Sequence, residues 1–314
     1  MKLFHYPDPD RKAGPAPAPC AVALGFFDGV HLGHRALLRE AREAADRAGL
    51  RLVVLTFPAE SGIKARTPRI YGDAEKLLLL EACGADAVML CDFSAVCGMP
   101  PDVFVREVLL GALNARLAVC GFNFRFGKDA AGDAAALEKQ MRQAGARTQT
   151  IAPVLQNGEP ISATRIREAL SRGEIRQANE ALGAPFFLLG EVRHGKGIGK
   201  TIDLPTANTD LPAGCPLARG VYRTAAKVRG KLFFSLTNIG TCPTFGARTL
   251  HAETYLEGAD GDLYGEIFPI YFLDFLREER TFSSAKELKK QIEVDIMTAK
   301  EQSARDPFVR QTEN

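Results

Sequence analysis

With 314 residues and 46% apolar side chains, the chain is longer than a usual single compact domain and ordinary in composition for a globular protein, so two cores are expected. Lys and Arg number 40 against 38 Asp and Glu, a net charge of +2, which supplies no general attraction to nucleic acid or to an anionic membrane. The seven cysteines form no C-x-x-C pair and mostly lie in apolar runs, which speaks for reduced core thiols and against a structural zinc site.

The N-terminus, with Pro7, Asp8, Pro9 and Asp10 and an Ala-Pro stretch from Ala13 to Pro19, is unlike a signal peptide. No apolar run nears the roughly 20 residues of a membrane span, so a soluble cytoplasmic protein is expected. From Cys20 to about Leu182, short apolar runs alternate with amphipathic stretches. Strands are predicted at Ala21 to Leu24, Arg51 to Phe57, Ala87 to Cys91, Leu117 to Phe122 and Thr148 to Val154. Helices are predicted at Gly33 to Ala48, Ala74 to Cys83, Pro101 to Leu113, Asp133 to Ala144, Ser162 to Ser171 and Glu174 to Leu182. That order describes a doubly wound α/β domain with ligands at the carboxyl ends of its strands.

After Gly183 and Pro185 the texture changes to strand-like runs: Phe186 to His194, Val221 to Val228, Lys231 to Asn238, Ala252 to Leu256 and Glu266 to Leu273, with Arg229-Gly230 as a hairpin turn. A small antiparallel barrel or sandwich is expected, closed by a helix from Ser284 to about Lys300 that buries Leu288, Ile292 and Ile296. The chain therefore divides near residue 184, into 1–184 and 185–314.

The first strand runs into Gly25-Phe26-Phe27-Asp28-Gly29-Val30-His31-Leu32-Gly33-His34 and then into a helix. Glycines that admit close backbone approach, followed by a helix start, make a phosphate-binding geometry over Gly25, Phe27, Asp28, Gly29 and Gly33. His31 and His34 lie three apart and share one side of the first turn, where they can donate to phosphate oxygens; such a pair also suits a metal ion or a plain helix cap. Further on, Ser162 and Thr164 suit a helix N-terminus, and Arg165 and Arg167 bring guanidinium groups that fit either phosphate or a solvated face.

In the second half, Gly195-Lys196-Gly197-Ile198-Gly199-Lys200-Thr201 fails as a Walker loop. His194 stands where a glycine is needed, and Asp203-Leu204-Pro205 follows where a helix should begin. Gly195, Gly199 and Lys200 are left as a loop over phosphates or a hairpin connection. In Leu204-Pro205-Thr206-Ala207-Asn208, the Thr206 hydroxyl and Asn208 amide face one side of an extended chain and offer oxygens to Mg²⁺, although Thr-Ala-Asn also makes a common turn or cap.

These segments resemble the bacterial bifunctional riboflavin kinase/FAD synthetase family. Gly25 to His34 is similar to its G-x-F-D-G-x-H-x-G-H signature, Gly121 to Gly127 to its G-x-[DN]-F-x-F-G segment, and Ile161 to Arg167 to its I-S-S-T-x-I-R segment. Leu204 to Asn208 resembles the P-T-A-N motif of riboflavin kinases, supported by Gly220-Val221-Tyr222, Asn238 to Phe245, Glu253, Gly261 to Gly265 and Leu276 to Glu279. The chain departs from the pattern at Thr56 to Ser61, which lacks a histidine, and at Ala163, Asp203 and Leu204.

The resemblance implies an N-terminal Rossmann-like nucleotidyltransferase domain followed by a six-stranded antiparallel barrel with a terminal helix. It implies conversion of riboflavin to FMN and of FMN to FAD, with ATP as co-substrate and Mg²⁺ as cofactor. His31, His34 and Arg167 would act on ATP, Glu253 would be the kinase base, and Thr206 and Asn208 would hold the metal. Asn123, Phe124, Arg125, Arg277 and Glu279 would lie on the flavin side. A riboflavin kinase with an idle first domain, and a non-catalytic flavin or nucleotide sensor, remain as alternatives at this stage.

Overall fold

The computed structural model describes residues 1–7, 18–59, 61, 68–194, 204–212, 214–244 and 247–303, and the chain falls into two compact units, Met1–Ala163 and Thr164–Asn314. The first unit is built on a parallel sheet of β1 (Lys2–Tyr6), β2 (Cys20–Leu24), β3 (Arg51–Thr56), β4 (Ala87–Cys91), β5 (Ala115–Gly121) and β6 (Arg147–Ile151). Its strand order is β1-β4-β3-β2-β5-β6. Every residue of β2 and β4 is buried, as expected of strands covered on both faces.

Helix α1 (Leu32–Arg47) covers one face, where Leu37, Leu38, Ala41 and Ala45 meet Ala21, Ala23, Leu52, Val54 and Val119; α2 (Asp73–Ala82) adds Leu80 to that layer. The other face of the same strands, Val22, Leu24, Val53, Leu55 and Ala118, is covered by Phe104, Val105, Val108 and Leu109 and by Leu137 and Met141 of α3 (Ala134–Gln143). Each fully buried leucine in these layers contributes roughly 1.5–3 kcal/mol.

The helix predicted from Pro101 to Leu113 is α-helical only over Pro101–Val103 and continues as a π-helix over Phe104–Ala112. Gly111 fits that wider ladder, since a Cβ there would lie 3.1 Å from the Arg106 carbonyl oxygen, five residues back. The last strand of the sheet ends at Ile151 rather than Val154. Strand β1 is an addition to the sequence reading: it pairs in parallel with β4 at the sheet edge, and the N-terminal ammonium reaches Glu81 Oε1 at 2.7 Å. From β2 the chain winds outward to β3 and β4, then returns to β5 and β6 on the other side. The crevice at the carboxyl ends of β2 and β5 is therefore a topological switch point.

The second unit opens with α4 (Ala163–Ser171), whose first residue closes the first unit, and α5 (Ile175–Leu182). It continues with β7 (Phe186–Arg193), β8 (Thr206–Asp210), β9 (Gly220–Val228), β10 (Lys231–Thr244), β11 (Ala247–Leu256) and β12 (Ile267–Arg277). These six antiparallel strands close into a barrel in the order β7-β8-β11-β10-β9-β12. The compact units divide some twenty residues before the change of texture at 184 because α5 is tied to the barrel strands β7 and β12. Asn179 Nδ2 donates to the Phe272 carbonyl at 2.9 Å, and its Oδ1 accepts from Phe186 N at 2.7 Å.

Arg229 and Gly230, with φ of 50° and 83°, make the two-residue turn between β9 and β10. Inside the barrel lie Phe186, Tyr222, Phe272, Ile239 and Ala252, with a chain of hydroxyls. In that chain Thr224 Oγ1 is 2.8 Å from Ser235 and 2.9 Å from Thr237, which is 3.0 Å from Thr254. Helix α6 (Ala285–Ser303) follows. Its buried residues are Asp295 and Ala299, while Leu288, Ile292 and Ile296 are half-buried.

Candidate active sites

In the first unit, the turn after β2 has three residues at positive φ. Phe27 is left-handed at φ 51°, Gly29 has φ 84°, and Val30, a β-branched residue, has φ 41°. Two non-glycine residues in that region within one turn are a store of strain of the kind found at functional sites. The Phe27 ring folds back so that a Cβ on Gly25 would lie 3.1 Å from its Cζ. The turn is fastened to its surroundings by Asp28 Oδ1, which accepts from Ile70 N at 2.9 Å, and by Thr56 Oγ1, which donates to the Phe26 carbonyl at 2.9 Å.

His31 is the N-cap of α1: its Nδ1 accepts from His34 N at 3.4 Å, which places the ring proton on Nε2. The two imidazoles stack with centroids 3.7 Å apart and planes 17° from parallel, and the Phe27 ring meets His34 edge-on at 5.3 Å. Gly33 makes this possible, since a Cβ there would be 3.2 Å from Cε1 and Nδ1 of His31. Burial lowers His31 to about 4, and burial, with the charge of His31 second, holds His34 well below the usual histidine range. Both rings are thus neutral near pH 7 and can act as N–H donors. His34 Nδ1 is buried with no hydrogen-bond partner among the described residues.

The segment after β5 forms a turn in which Phe124 N donates to the Gly121 carbonyl at 3.0 Å. Asn123 Oδ1 lies 3.5 Å from where a Cβ on Gly121 would stand. Phe124 and Phe126 stack at 5.6 Å, Phe126 meets Phe104 of the π-helix at 5.5 Å, and Arg125 is 3.6 Å from Asp133. Asn123, Phe124 and Arg125 thus flank the switch-point crevice from the β5 side, opposite the histidine turn on β2.

Sequence reasoning missed the supports of the stretch after β3. Arg69 donates to the Ala59 carbonyl at 2.8 Å and to that of Ser61 at 3.3 Å. Lys76, buried, donates to the Phe57 carbonyl at 2.5 Å and pairs with Asp73 at 3.1 Å, and burial lowers its pKa despite Asp73. Phe26, Phe57 and Phe93 form an aromatic cluster, with centroids 4.6 Å apart for Phe26 and Phe57 and 5.5 Å for Phe57 and Phe93. Nothing in the local pattern pointed to Arg69 or Lys76 as supports, because the carbonyls that they hold lie 8 to 19 residues away in sequence.

Ser162 precedes α4, and Thr164, Arg165 and Arg167 lie in its first two turns, where Arg167 Nη2 donates to Thr164 Oγ1 at 3.1 Å. Gly195, Gly199 and Lys200 lie outside the described residues.

On the barrel, register assembles the second site. Asn208 of β8, Glu253 of β11 and Asn238 of β10 are direct neighbours across three strands. The next row is Asp210, His251 and Gly240, and the row before holds Thr206 and Tyr255. Alternation puts Ala207, Thr209, Ala252, Thr254, Thr237 and Ile239 inside, all buried, so Thr206, Asn208, Glu253, Asn238 and His251 share the outer wall. Thr206 and Asn208 do face one side, and Asn208 Nδ2 approaches the Thr206 carbonyl at 3.5 Å.

Gly240 leaves a gap on that wall which the Glu279 carboxylate fills; its Cδ is 3.3 Å from where a Cβ would stand, and its Oε2 is 3.8 Å from Arg219 Nε. Glu279 therefore reaches the row containing His251. Arg277 is committed elsewhere: its Nε bonds both Asp295 oxygens at 3.1 Å and its Nη2 bonds Oδ2 at 2.8 Å. With 14% and 6% of their side chains exposed, the two form a buried clamp between β12 and α6.

Among the described residues no group of three or more His, Cys, Asp and Glu is placed to hold a metal. Thr206 and Asn208 offer neutral oxygens instead, a set that fits an ion keeping its waters and leaning on phosphate for charge.

Two family models match the chain, FAD synthetase over residues 14–165 and riboflavin kinase over residues 182–303. Its relatives include the bifunctional riboflavin kinase/FMN adenylyltransferase of Haemophilus influenzae, 33% identical over 90% of this chain and 93% of that protein. The protein of the same name from Bacillus subtilis is 33% identical over 95% and 97%, and that of Escherichia coli K12 34% identical over 90% and 92%. A crystal structure described as a macrolide-efflux protein from Streptococcus pneumoniae superimposes with a TM-score of 0.82 at 29% identity, covering 96% of this chain and 99% of that one. No helix among the described residues is long and apolar enough to cross a membrane.

Proposed function

The chain belongs to the bifunctional riboflavin kinase/FMN adenylyltransferase family, and from that premise we propose a division of its chemistry between the histidine turn of the first unit and the outer barrel wall of the second. It phosphorylates riboflavin to FMN with ATP, and adenylylates FMN with a second ATP to give FAD and pyrophosphate.

In adenylyl transfer the FMN phosphate attacks the α-phosphorus of ATP and pyrophosphate leaves. That nucleophile is already ionised near neutral pH, so positioning and charge stabilisation carry the step. His31, with its proton on Nε2, and His34 donate to the triphosphate, and Arg167 balances the charge that grows on it. The strained turn from Gly25 to Gly33 gives the phosphates backbone to approach, with Ser162, Thr164 and Arg165 assigned to the same nucleotide. Asn123, Phe124 and Arg125, on the far side of the crevice, are assigned to FMN.

Riboflavin, unlike FMN, attacks through a hydroxyl whose proton must leave, so the kinase needs a base. Glu253 takes that proton as the ribityl oxygen bonds to the γ-phosphorus and ADP departs. Thr206 and Asn208 would hold Mg²⁺, which supplies charge neutralisation on the ATP phosphates. Glu279 faces the flavin side, while Arg277 supports the wall through Asp295. The in-register row Asn208, Glu253 and Asn238 is the observation that carries this assignment.

A functional boundary near residue 184 places α4, with Arg167, in the adenylyltransferase 1–184, and the kinase in 185–314. Small-molecule substrates and a cytoplasmic site of action complete the reading. Burial pushes the thiols of Cys20 up to about 11 and Cys91 up to about 12, so they are inert core groups.

The test is product analysis with riboflavin, ATP and Mg²⁺. Glu253→Ala should abolish FMN formation and spare conversion of FMN to FAD, and His31→Ala should do the reverse. Loss of both activities in either folded variant would refute the division.

A further inference from the structure

We propose that His251 is a positioning residue for the kinase, holding Glu253 in the orientation from which it takes the riboflavin proton; this rests on the assignment of Glu253 as the kinase base. The two residues are i and i+2 on β11, so both project from the outer wall. His251 Nε2 lies 3.3 Å from Glu253 Oε1, and the imidazole is the more enclosed partner, with 19% of its side chain exposed against 43% for Glu253.

The other ring nitrogen settles which way the hydrogen bond runs. His251 Nδ1 is buried and has no hydrogen-bond partner among the described residues. A proton placed there would be a buried donor without an acceptor, whereas on Nε2 it points at a carboxylate. The ring therefore donates from Nε2 to Oε1.

Glu253 needs such a tether because of its neighbours. Asn208 and Asn238 flank it on the adjoining strands, and either amide could capture a carboxylate free to rotate. With Oε1 engaged by His251, Oε2 is presented to the substrate hydroxyl. The proton passes to Oε2 as the new O–P bond forms and the bond from the γ-phosphorus to the bridging oxygen breaks. In the row that the ring occupies, the cross-strand neighbour on β10 is Gly240, whose gap the Glu279 carboxylate fills, and that on β8 is Asp210, itself 3.4 Å from Arg193.

Full-length His251→Leu and His251→Gln proteins test this, with riboflavin phosphorylation measured as kcat and KM and FMN adenylylation measured on the same samples as a control of integrity. His251→Leu should lower kinase kcat about tenfold, the rate equivalent of one hydrogen bond to a charged group, with KM for riboflavin and ATP within about twofold. His251→Gln, which keeps an N–H donor, should restore most of the rate, and His251→Leu should cost nothing further in a Glu253→Gln background.

Wild-type kcat in His251→Leu beside an impaired Glu253→Gln overturns the proposal alone. A wild-type rate in Glu253→Gln overturns the base assignment beneath it. Equal losses in the Leu and Gln variants, or a change confined to KM, assign His251 to packing and also overturn it.

Discussion

His31 titrates in a window that its burial creates, and the effect on stability can be worked out. Its pKa falls from 6.5 to about 4 on folding because the buried ring resists a charge. Between those values the unfolded chain binds a proton that the folded chain refuses, so stability declines as pH falls through the window and is fully present above it. At about pH 5 the proton-binding factor of the unfolded ring exceeds that of the folded one roughly 30-fold, a loss of about 2 kcal/mol relative to neutral pH. His31→Asn removes the titration while its side-chain oxygen can still accept from His34 N.

The assay is urea unfolding followed by far-ultraviolet circular dichroism at about pH 7.5 and about pH 5, where the variant should lose about 2 kcal/mol less than the wild type across that interval. Groups whose titration the substitution leaves unchanged cancel in the difference. The chain has five histidines, so the imidazole signals can also be followed directly by NMR. An unchanged pH dependence in the variant, or a His31 signal titrating near 6.5, would refute the claim that the ring is held neutral.

Gly33→Ala should bring a methyl group to 3.2 Å from the His31 ring, shift that ring slightly and lower FMN adenylylation by roughly tenfold while riboflavin phosphorylation is unchanged. An adenylylation rate within a few-fold of wild type would mean that the ring has room to move. Asp295→Ala should leave the Arg277 guanidinium buried without its carboxylate and destabilise the second unit by about 3–5 kcal/mol in chemical denaturation. A loss under about 1 kcal/mol would place the pair among weak surface contacts.

What could be read from the sequence was what is local along the chain. The glycine turn, the two histidines and α1 are adjacent residues whose geometry follows from their own backbone preferences, and they fold as expected. Strand β1 escaped notice because five residues of mixed polarity at a sheet edge have no clean period, and their partner β4 begins at Ala87. The π-helix escaped for a related reason, since its i→i+5 ladder leaves the 3.6-residue pattern of Phe104, Val105, Val108 and Leu109 nearly intact.

The role of Arg277 could not be settled from its motif either. A guanidinium beside two glutamates reads the same whether it meets a ligand or a carboxylate eighteen residues on, and only the docking of α6 decides for Asp295. The row that places Asn238 beside Glu253 likewise needs the register of three strands drawn from well-separated segments.

The alternation of the barrel wall has an evolutionary side. On β11, Ala252, Thr254 and Leu256 face inward and keep the barrel closed, while His251, Glu253 and Tyr255 face outward along the wall proposed for the kinase. Selection can therefore vary the outward set one substitution at a time without disturbing the inward one, which makes the wall a chassis for changing specificity. A single inserted or deleted residue within the strand has no such freedom, because it exchanges the two sets at once. Lineages descended from such a barrel should accumulate substitutions along these strands and confine their length changes to the connections.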